Sequence, residues 1–305
     1  MDRAPTTPRP VMRRDLATNL LAPLAAAATG IFVGSTIVVT RFVIDQTHPF
    51  SLAFMRYVIG LLCLAPVLLT IRRVPFARRD LLPIALLGIT QFGILIALLN
   101  FGLLYIPSAI GALIFATFPM LTMVLAAILR YEQITVPKAV GVLLTFAGVG
   151  LALGEQLGLP SSTENGLIGE LAVLGSALSG AVCAVLYRPY LQRYPTVQVS
   201  AFAMLASVAF LAVPAAYEGL FSALPRFSAA GWAAIGFIGV SSGVGYYLWL
   251  WALGHTTPTR VAVFLALSPI TATALGALWL GEVIGVLFLG GLFSLALGLW
   301  LAHRQ

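Results

Sequence analysis

Charge is scarce in this 305-residue chain: 9% of its residues are Asp, Glu, Lys or Arg, and 60% are hydrophobic. Soluble domains carry about 25% charged residues, so this composition cannot cover a water-facing surface, and mean hydropathy is +1.01. Cysteine is nearly absent. Cys63 and Cys183 both fall inside apolar runs, which argues against a disulfide framework. The three histidines, His48, His255 and His303, stand near the ends of apolar runs. There is no HExxH, no carboxylate pair inside a run and no defensible Ser-His constellation. A membrane-embedded enzyme is therefore the rival class and ranks below a carrier, with a channel third, and we expect no enzyme, metal or cofactor. The net charge of +7 would suit nucleic acid if it were clustered. The arginines instead lie scattered between apolar runs, where positives act as topology signals, so no nucleic-acid partner is expected.

What the chain does have is apolar sequence in blocks of roughly 20 residues, long enough to cross a hydrocarbon core of about 30 Å. Backbone in hydrocarbon must satisfy its own hydrogen bonds, so each block should be a helix. The blocks fall at 17–42, 50–71, 81–104, 107–129, 135–153, 167–187, 197–216, 229–252, 258–280 and 283–302. Connectors are short, with Pro107, Pro137 and Pro258 near first helical turns, where proline is tolerated. Residues 1–16 form a Thr- and Pro-rich cytoplasmic tail, and the first block is too long for a signal-peptide core, so it should be retained. Arg3, Arg9, Arg13, Arg14, Arg72, Arg73, Arg78, Arg79, Arg130, Lys138, Arg188, Arg193, Arg260 and Arg304 all fall on one side of this alternation. The other side holds Asp45, Glu155, Glu164, Glu170, Glu218 and Glu282, with Arg41 and Arg226. The positive-inside rule then places both termini in the cytoplasm. The expected fold is an all-α, ten-helix protein of the cytoplasmic (inner) membrane, surrounded by lipid, with the monomer as working state.

The chain also repeats itself. Pro119 and Pro269, Glu132 and Glu282, Ile134 and Ile284, Gly141 and Gly291, Gly148 and Gly298, and Gly93 and Gly243 are each 150 positions apart. Registered Pro, Glu and Gly are harder to obtain by chance than Leu, Ala or Val. The repeats span 17–153 and 167–302, five helices each. Five is odd, so the second half inserts upside down. Inverted repeats place a substrate site near the bilayer midplane between the halves, and rocking exposes it alternately. This points to a carrier of a small molecule.

Several segments carry a resemblance: Gly30 to Arg41 (GIFVGSTIVVTR), Pro49 to Arg56 (PFSLAFMR), Asn100 to Leu113 (NFGLLYIPSAIGAL), Tyr131 to Gln133 (YEQ), Ser268 to Ala272 (SPITA), and Gly281 with Glu282. In order and spacing these resemble the EamA family of the drug/metabolite transporter superfamily, across essentially the whole chain. The resemblance implies ten helices in two halves and efflux of small metabolites, with amino-acid export prominent. At Val33 the family often has Trp.

Candidate residues follow from polarity and depth. Gln91 and Asn100 are amides that either bind neighbouring helices or face substrate; Gln91 is the deeper, and its repeat mate is Ser241. Ser35 and Thr36 beside Gly34, and Ser179 beside Gly180, are small polar clusters that either let backbones approach or line the site. Tyr246 is the deepest aromatic of its run, whereas Trp249 and Trp251 read as interfacial anchors. Arg41 and Arg56 are either packing arginines, with Arg56 snorkelling toward Asp45, or a gate that attracts anionic groups. Glu132 and Glu282 at helix ends serve helix-terminus electrostatics or a gating salt bridge. Pro119 and Pro269 should kink the middles of helices 4 and 9. The polar residues concentrate the expected cavity in helices 1, 3, 4, 6, 8 and 9. No Lys or Arg cluster lies at midplane, so an organophosphate or sugar-nucleotide carrier ranks below an amino-acid exporter.

The charge pattern makes the Glu164 loop external. A single cysteine placed at 164 in a cysteine-free background should react with an impermeant thiol reagent from outside intact cells; reaction from the cytoplasm alone would overturn the ten-helix alternation.

Overall fold

The computed structural model describes residues 12–70, 74–129, 135–157, 166–222, 226–255, 264–265 and 267–302. Glu132, most of the N-terminal tail and the expected start of the ninth helix near Pro258 lie outside the described residues. The described residues contain helices and no strand. In chain order the helices are α1 (Met12–Val43), α2 (Pro49–Thr70), α3 (Arg78–Gly88), α4 (Leu95–Gly102), α5 (Ser108–Phe115), α6 (Phe118–Ile128), α7 (Val136–Leu157), α8 (Gly166–Leu191), α9 (Thr196–Tyr217), α10 (Ala229–His255), α11 (Leu267–Leu280) and α12 (Val286–Ala302). Seven helical spans are long and apolar enough to cross a membrane, and three apolar helices are shorter: Ala139–Leu151, Leu267–Leu280 and Val286–Gly298.

Two expected helices are interrupted. A π-helical segment, Ile89–Ile94, joins α3 to α4, and the Leu95 amide reaches back five residues to the Thr90 carbonyl. Such π segments occur mostly as single turns inside α-helices, frequently at functional sites. The fourth expected helix breaks between α5 and α6, because Pro119 has no N–H to continue the ladder and starts α6 instead. Pro269 lies in the first described turn of α11 rather than mid-helix, so it too opens a helix instead of bending one.

Apolar helices in lipid gain nothing by hiding from water, so they associate where small residues let backbones approach. Such approaches recur here at positions 150 apart. A Cβ on Gly148 would meet the Gly291 carbonyl oxygen at 2.5 Å, and one on Gly298 would meet the Gly141 carbonyl oxygen at 2.5 Å. Between them, Ser294 Oγ donates to the Leu144 carbonyl at 2.8 Å. Residue 141 thus faces 298 while 148 faces 291: α7 and α12, mates in the repeat, run antiparallel. The same holds for α2 and α9. Ser51 at the start of α2 binds Glu218 at the end of α9, and Gln198 at the start of α9 binds both the N–H and C=O of Val74, just beyond α2. Gly243 of α10 packs on Gly60 of α2, while its mate Gly93 packs on Phe210 of α9, the mate of Gly60. Exchanging the halves therefore maps this packing onto itself. The outward faces carry exposed Leu62, Leu82, Leu143 and Phe293.

Gly298→Leu should lower the stability of the purified protein by about 1–3 kcal/mol through overpacking. Gly150→Ala, where a Cβ meets nothing within 4 Å, should be neutral or stabilising. Thermal unfolding in detergent checks both, and equal melting of Gly298→Leu and wild type would contradict the packing.

Candidate functional site

A cavity of about 140 Å³ opens where α1, α2, the π segment, α4, the α5–α6 break and α10 converge. The repeat orders its lining. Gln91 and Ser241, Phe92 and Ser242, Leu95 and Gly245, Ile96 and Tyr246, Leu99 and Trp249, and Phe115 and Leu265 are all lining residues, and each pair is 150 positions apart. The cavity thus straddles the axis relating the halves, with the π segment and α4 facing α10. The rest of the wall is one-sided. Thr29, Phe32, Val33 and Thr36 of α1 and Arg56 and Tyr57 of α2 line it, while their mates on α8 and α9 do not.

Arg56 is the one charged residue among the described lining residues. It is 9% exposed. Its Nε donates to Ser242 Oγ at 2.6 Å, and that hydroxyl donates in turn to the Ile238 carbonyl at 2.5 Å. Its guanidinium carbon stands 5.7 Å from the Tyr57 ring centroid, within cation–π range. Phe92 lies edge-on between Tyr57 and Tyr246, with centroids 5.1 and 4.7 Å away. The amide of Gln91 and the hydroxyls of Ser241 and Tyr246 have no hydrogen-bond partner among the described residues, yet none is sealed from the cavity. Thr36 Oγ1 donates to the Val33 carbonyl of its own helix, and Thr29 Oγ1 donates to the Ala25 carbonyl at 2.9 Å and the Gly245 carbonyl of α10 at 3.3 Å.

Of the residues singled out in the sequence, Gln91, Thr36, Ser241, Tyr246 and Arg56 come together here. The others lie elsewhere. Asn100 is fully buried at the end of α4, where its amide donates to the Pro49 carbonyl at 3.0 Å, joining α4 to the start of α2. Ser179 donates to Gly175 within α8. That helix stands behind the cavity, with Gly180 against Leu95 and Phe118. Ser35 is half-buried off the cavity. The sixth helix therefore does not contribute to the wall as expected, and the second does. Arg41 pairs with Asp45 one turn later at 3.2 Å on an exposed stretch. This leaves Asp45 engaged away from Arg56, contrary to the expected pairing.

Glu282 makes no ion pair among the described residues. The positive φ of Gly281, 65°, turns the chain sharply after α11. The Glu282 carboxylate then accepts from the Ser108 N–H at 2.7 Å, the Ser108 hydroxyl at 2.9 Å and the Ala109 N–H at 3.1 Å. A second-half carboxylate thereby caps a first-half helix, where the dipole favours it. Glu218 does the same for α2, binding the Ser51 N–H at 2.6 Å and its hydroxyl at 2.7 Å. At the opposite end of α9, Asp80 accepts from Tyr194 Oη at 2.7 Å and lies 3.5 Å from Arg193. Sequence reasoning passed over Glu218, Tyr57, Phe92 and Ser242. The 150-residue register, which gave Gln91 and Ser241, carries Phe92 onto Ser242 one position later.

Two repeated helical halves around an amphipathic cavity define a polytopic membrane protein of the transporter type. The EamA-like transporter family model matches residues 20–154 and again 167–304, and the chain belongs to that family. It is 25% identical over 285 residues to an uncharacterized transporter of Archaeoglobus fulgidus, covering 92% of this chain and 98% of that one. It is 29% identical over 230 residues to a probable terminal-alkyne amino-acid exporter of Streptantibioticus cattleyicolor, covering 74% of each. A solved crystal structure shares the fold at TM-score 0.68 and 22% identity, covering 92% of this chain and 96% of its own.

Gln91→Ala and Tyr246→Phe should each cut flux on the order of tenfold, the loss of about 1.4 kcal/mol expected for a hydrogen bond to substrate, with thermal stability little changed, since Tyr246→Phe keeps the ring against Phe92. Asn100→Ala should instead lower stability by about 1–3 kcal/mol by freeing a buried carbonyl. Parallel flux and melting measurements check the split; unchanged flux in both cavity variants would contradict the site.

Proposed function

We propose that this chain is a ten-span carrier that exports small metabolites, amino acids first among them, across the cytoplasmic membrane by alternating access. Both termini lie in the cytoplasm, and the spans divide into two inverted halves of five. The observation that carries this reading is the lining of the cavity by residue pairs 150 positions apart. A site on the axis between inverted halves faces either side of the membrane when the halves rock. The antiparallel packing of α7 with α12 and of α2 with α9 supports the inversion.

The closed side supports the motion. Ser207 Oγ and Ser268 Oγ are buried without a hydrogen-bond partner among the described residues, as are Ser176 Oγ and Tyr187 Oη. Ser207 and Ser268 are the mates of cavity-lining Tyr57 and Phe118. An unpaired buried hydroxyl costs about 1–3 kcal/mol, a cost that a state opening along α8, α9 and the start of α11 relieves by hydrating them. The exporter relative named for an amino acid favours that substrate class over organophosphates, as does the single cation at the cavity.

No carboxylate or histidine stands among the described lining residues, which favours export down the substrate gradient without obligatory proton exchange. A counterflow screen of amino acids and small metabolites in proteoliposomes tests the function, and saturable exchange is the expected result. Imposing a pH gradient should leave accumulation at equilibrium. Accumulation above equilibrium that disappears in Glu282→Gln would contradict the uncoupled mechanism.

A further inference from the structure

The carrier reading leaves one feature of the cavity unexplained, a buried cation with no counter-charge. Arg56 is held in place by Ser242 through Nε alone. A guanidinium has five N–H donors, so its two terminal nitrogens remain free of protein partners among the described residues. Asp45 is engaged by Arg41, Asp80 by Tyr194 and Arg193, and Glu218 and Glu282 by helix N-termini, while Glu170 on α8 is not among the described lining residues. A charge sunk this far into a membrane protein is costly unless it is paired. Here the pairing partner has to arrive with the ligand.

The chemistry of that partner follows from the surroundings. A planar fork with a fixed orientation matches a carboxylate bidentately. A phosphate ester would bring about two negative charges to a wall that supplies one positive charge. The same wall has no carboxylate to receive an ammonium group. Gln91, Ser241 and Tyr246, with the hydroxyl-bearing Thr29, Thr36, Tyr57 and Ser242, offer an ammonium group neutral acceptors only, and Leu95, Ile96, Phe115 and Phe118 supply aliphatic and aromatic surface. We propose that Arg56 is the carboxylate-binding residue of the transport site, and that the site selects small monocarboxylates with an apolar tail whether or not they carry an α-amino group. This rests on the carrier reading above and narrows it. Amino acids enter as one subclass of amphipathic acids, and their deaminated counterparts are substrates too.

The test is competition in a proteoliposome flux assay, together with direct binding to the purified full-length protein by calorimetry. Two matched sets serve as probes: phenylalanine, 3-phenylpropanoate and phenylalaninamide; and leucine, 4-methylpentanoate and leucinamide. The acid and the amino acid of a set should bind within about tenfold of each other. The amide should be on the order of ten- to a hundredfold weaker, as expected for losing a charged hydrogen-bonded pair. Arg56→Gln should erase the difference between acid and amide, and Arg56→Lys should restore part of it. Ser242→Ala, which frees the guanidinium without removing its charge, should weaken acid binding severalfold while keeping the discrimination; it carries the test if Arg56→Gln does not fold. An amide that binds as well as the acid overturns the proposal, as does discrimination that survives in Arg56→Gln or disappears in Ser242→Ala. If another solute proves to be the substrate, a carboxylate that cannot be amidated without loss of binding supports it, and a solute lacking a carboxylate overturns it. Absence of saturable flux for every solute would instead count against the carrier reading.

Discussion

Close backbone approach between helices is the constraint on which the rest of this structure depends. Hydrocarbon supplies no hydrophobic drive to bring apolar helices together, so contact must come from van der Waals packing and a few polar bonds. Gly30 against Phe264, Gly34 against Ser268, Gly88 against Ala203, and Gly148 against Gly291 are such approaches. The last of them recurs 150 residues on, as Gly298 against Gly141. The Gly60–Gly243 crossing and the Gly93–Phe210 crossing are two images of one contact. A twofold arrangement of this kind leaves the axis as the place where the halves meet without closing, and the cavity lies there.

The polar groups divide by depth. Carboxylates work at helix ends: Glu282 and Glu218 each hold a helix N-terminus of the first half from the second, and Asp80 anchors Tyr194. They fasten the halves at the periphery, where water screens part of their cost. Near the axis the wall is neutral except for Arg56, whose direction is set by a serine in the opposite half. Rocking that separated α2 from α10 would break the Arg56–Ser242 bond and so would couple the proposed binding group to the relative position of the halves.

Much of this was legible in the sequence. Charge scarcity and run length point to a helical membrane protein, and the 150-residue register points to Gln91 and Ser241; it also pairs Pro119 with Pro269, which open helices rather than kink them. What escaped was whatever depends on which way a side chain faces. Asn100 and Gln91 are both amides in one apolar run, and depth alone does not separate the one that ties α4 to Pro49 from the one that lines the cavity. The π turn at Ile89–Ile94 has no sequence signature, yet it sits at Gln91 and Phe92. Asp45 lies within sequence reach of both Arg41 and Arg56, and Arg41, one helical turn from that carboxylate, takes it. Ser179 has a small polar neighbourhood like that of Ser35 and Thr36. Its mate Thr29 lines the cavity while Ser179 does not, an asymmetry of conformation that a symmetric sequence pattern cannot reveal.

That asymmetry is also the point at which the account is most exposed. If the halves exchange roles, the mates of today's lining residues must come to line the opposite opening. Cys183 is fully buried on α8, and its mate Val33 lines the cavity. The decisive measurement is the rate at which a small thiol reagent modifies Cys183 in a Cys63→Ser protein that retains flux, with and without a transported solute. Alternation predicts that Cys183 is modified during turnover, at a rate that changes with solute. Complete protection of Cys183 under turnover, with flux intact, would contradict it.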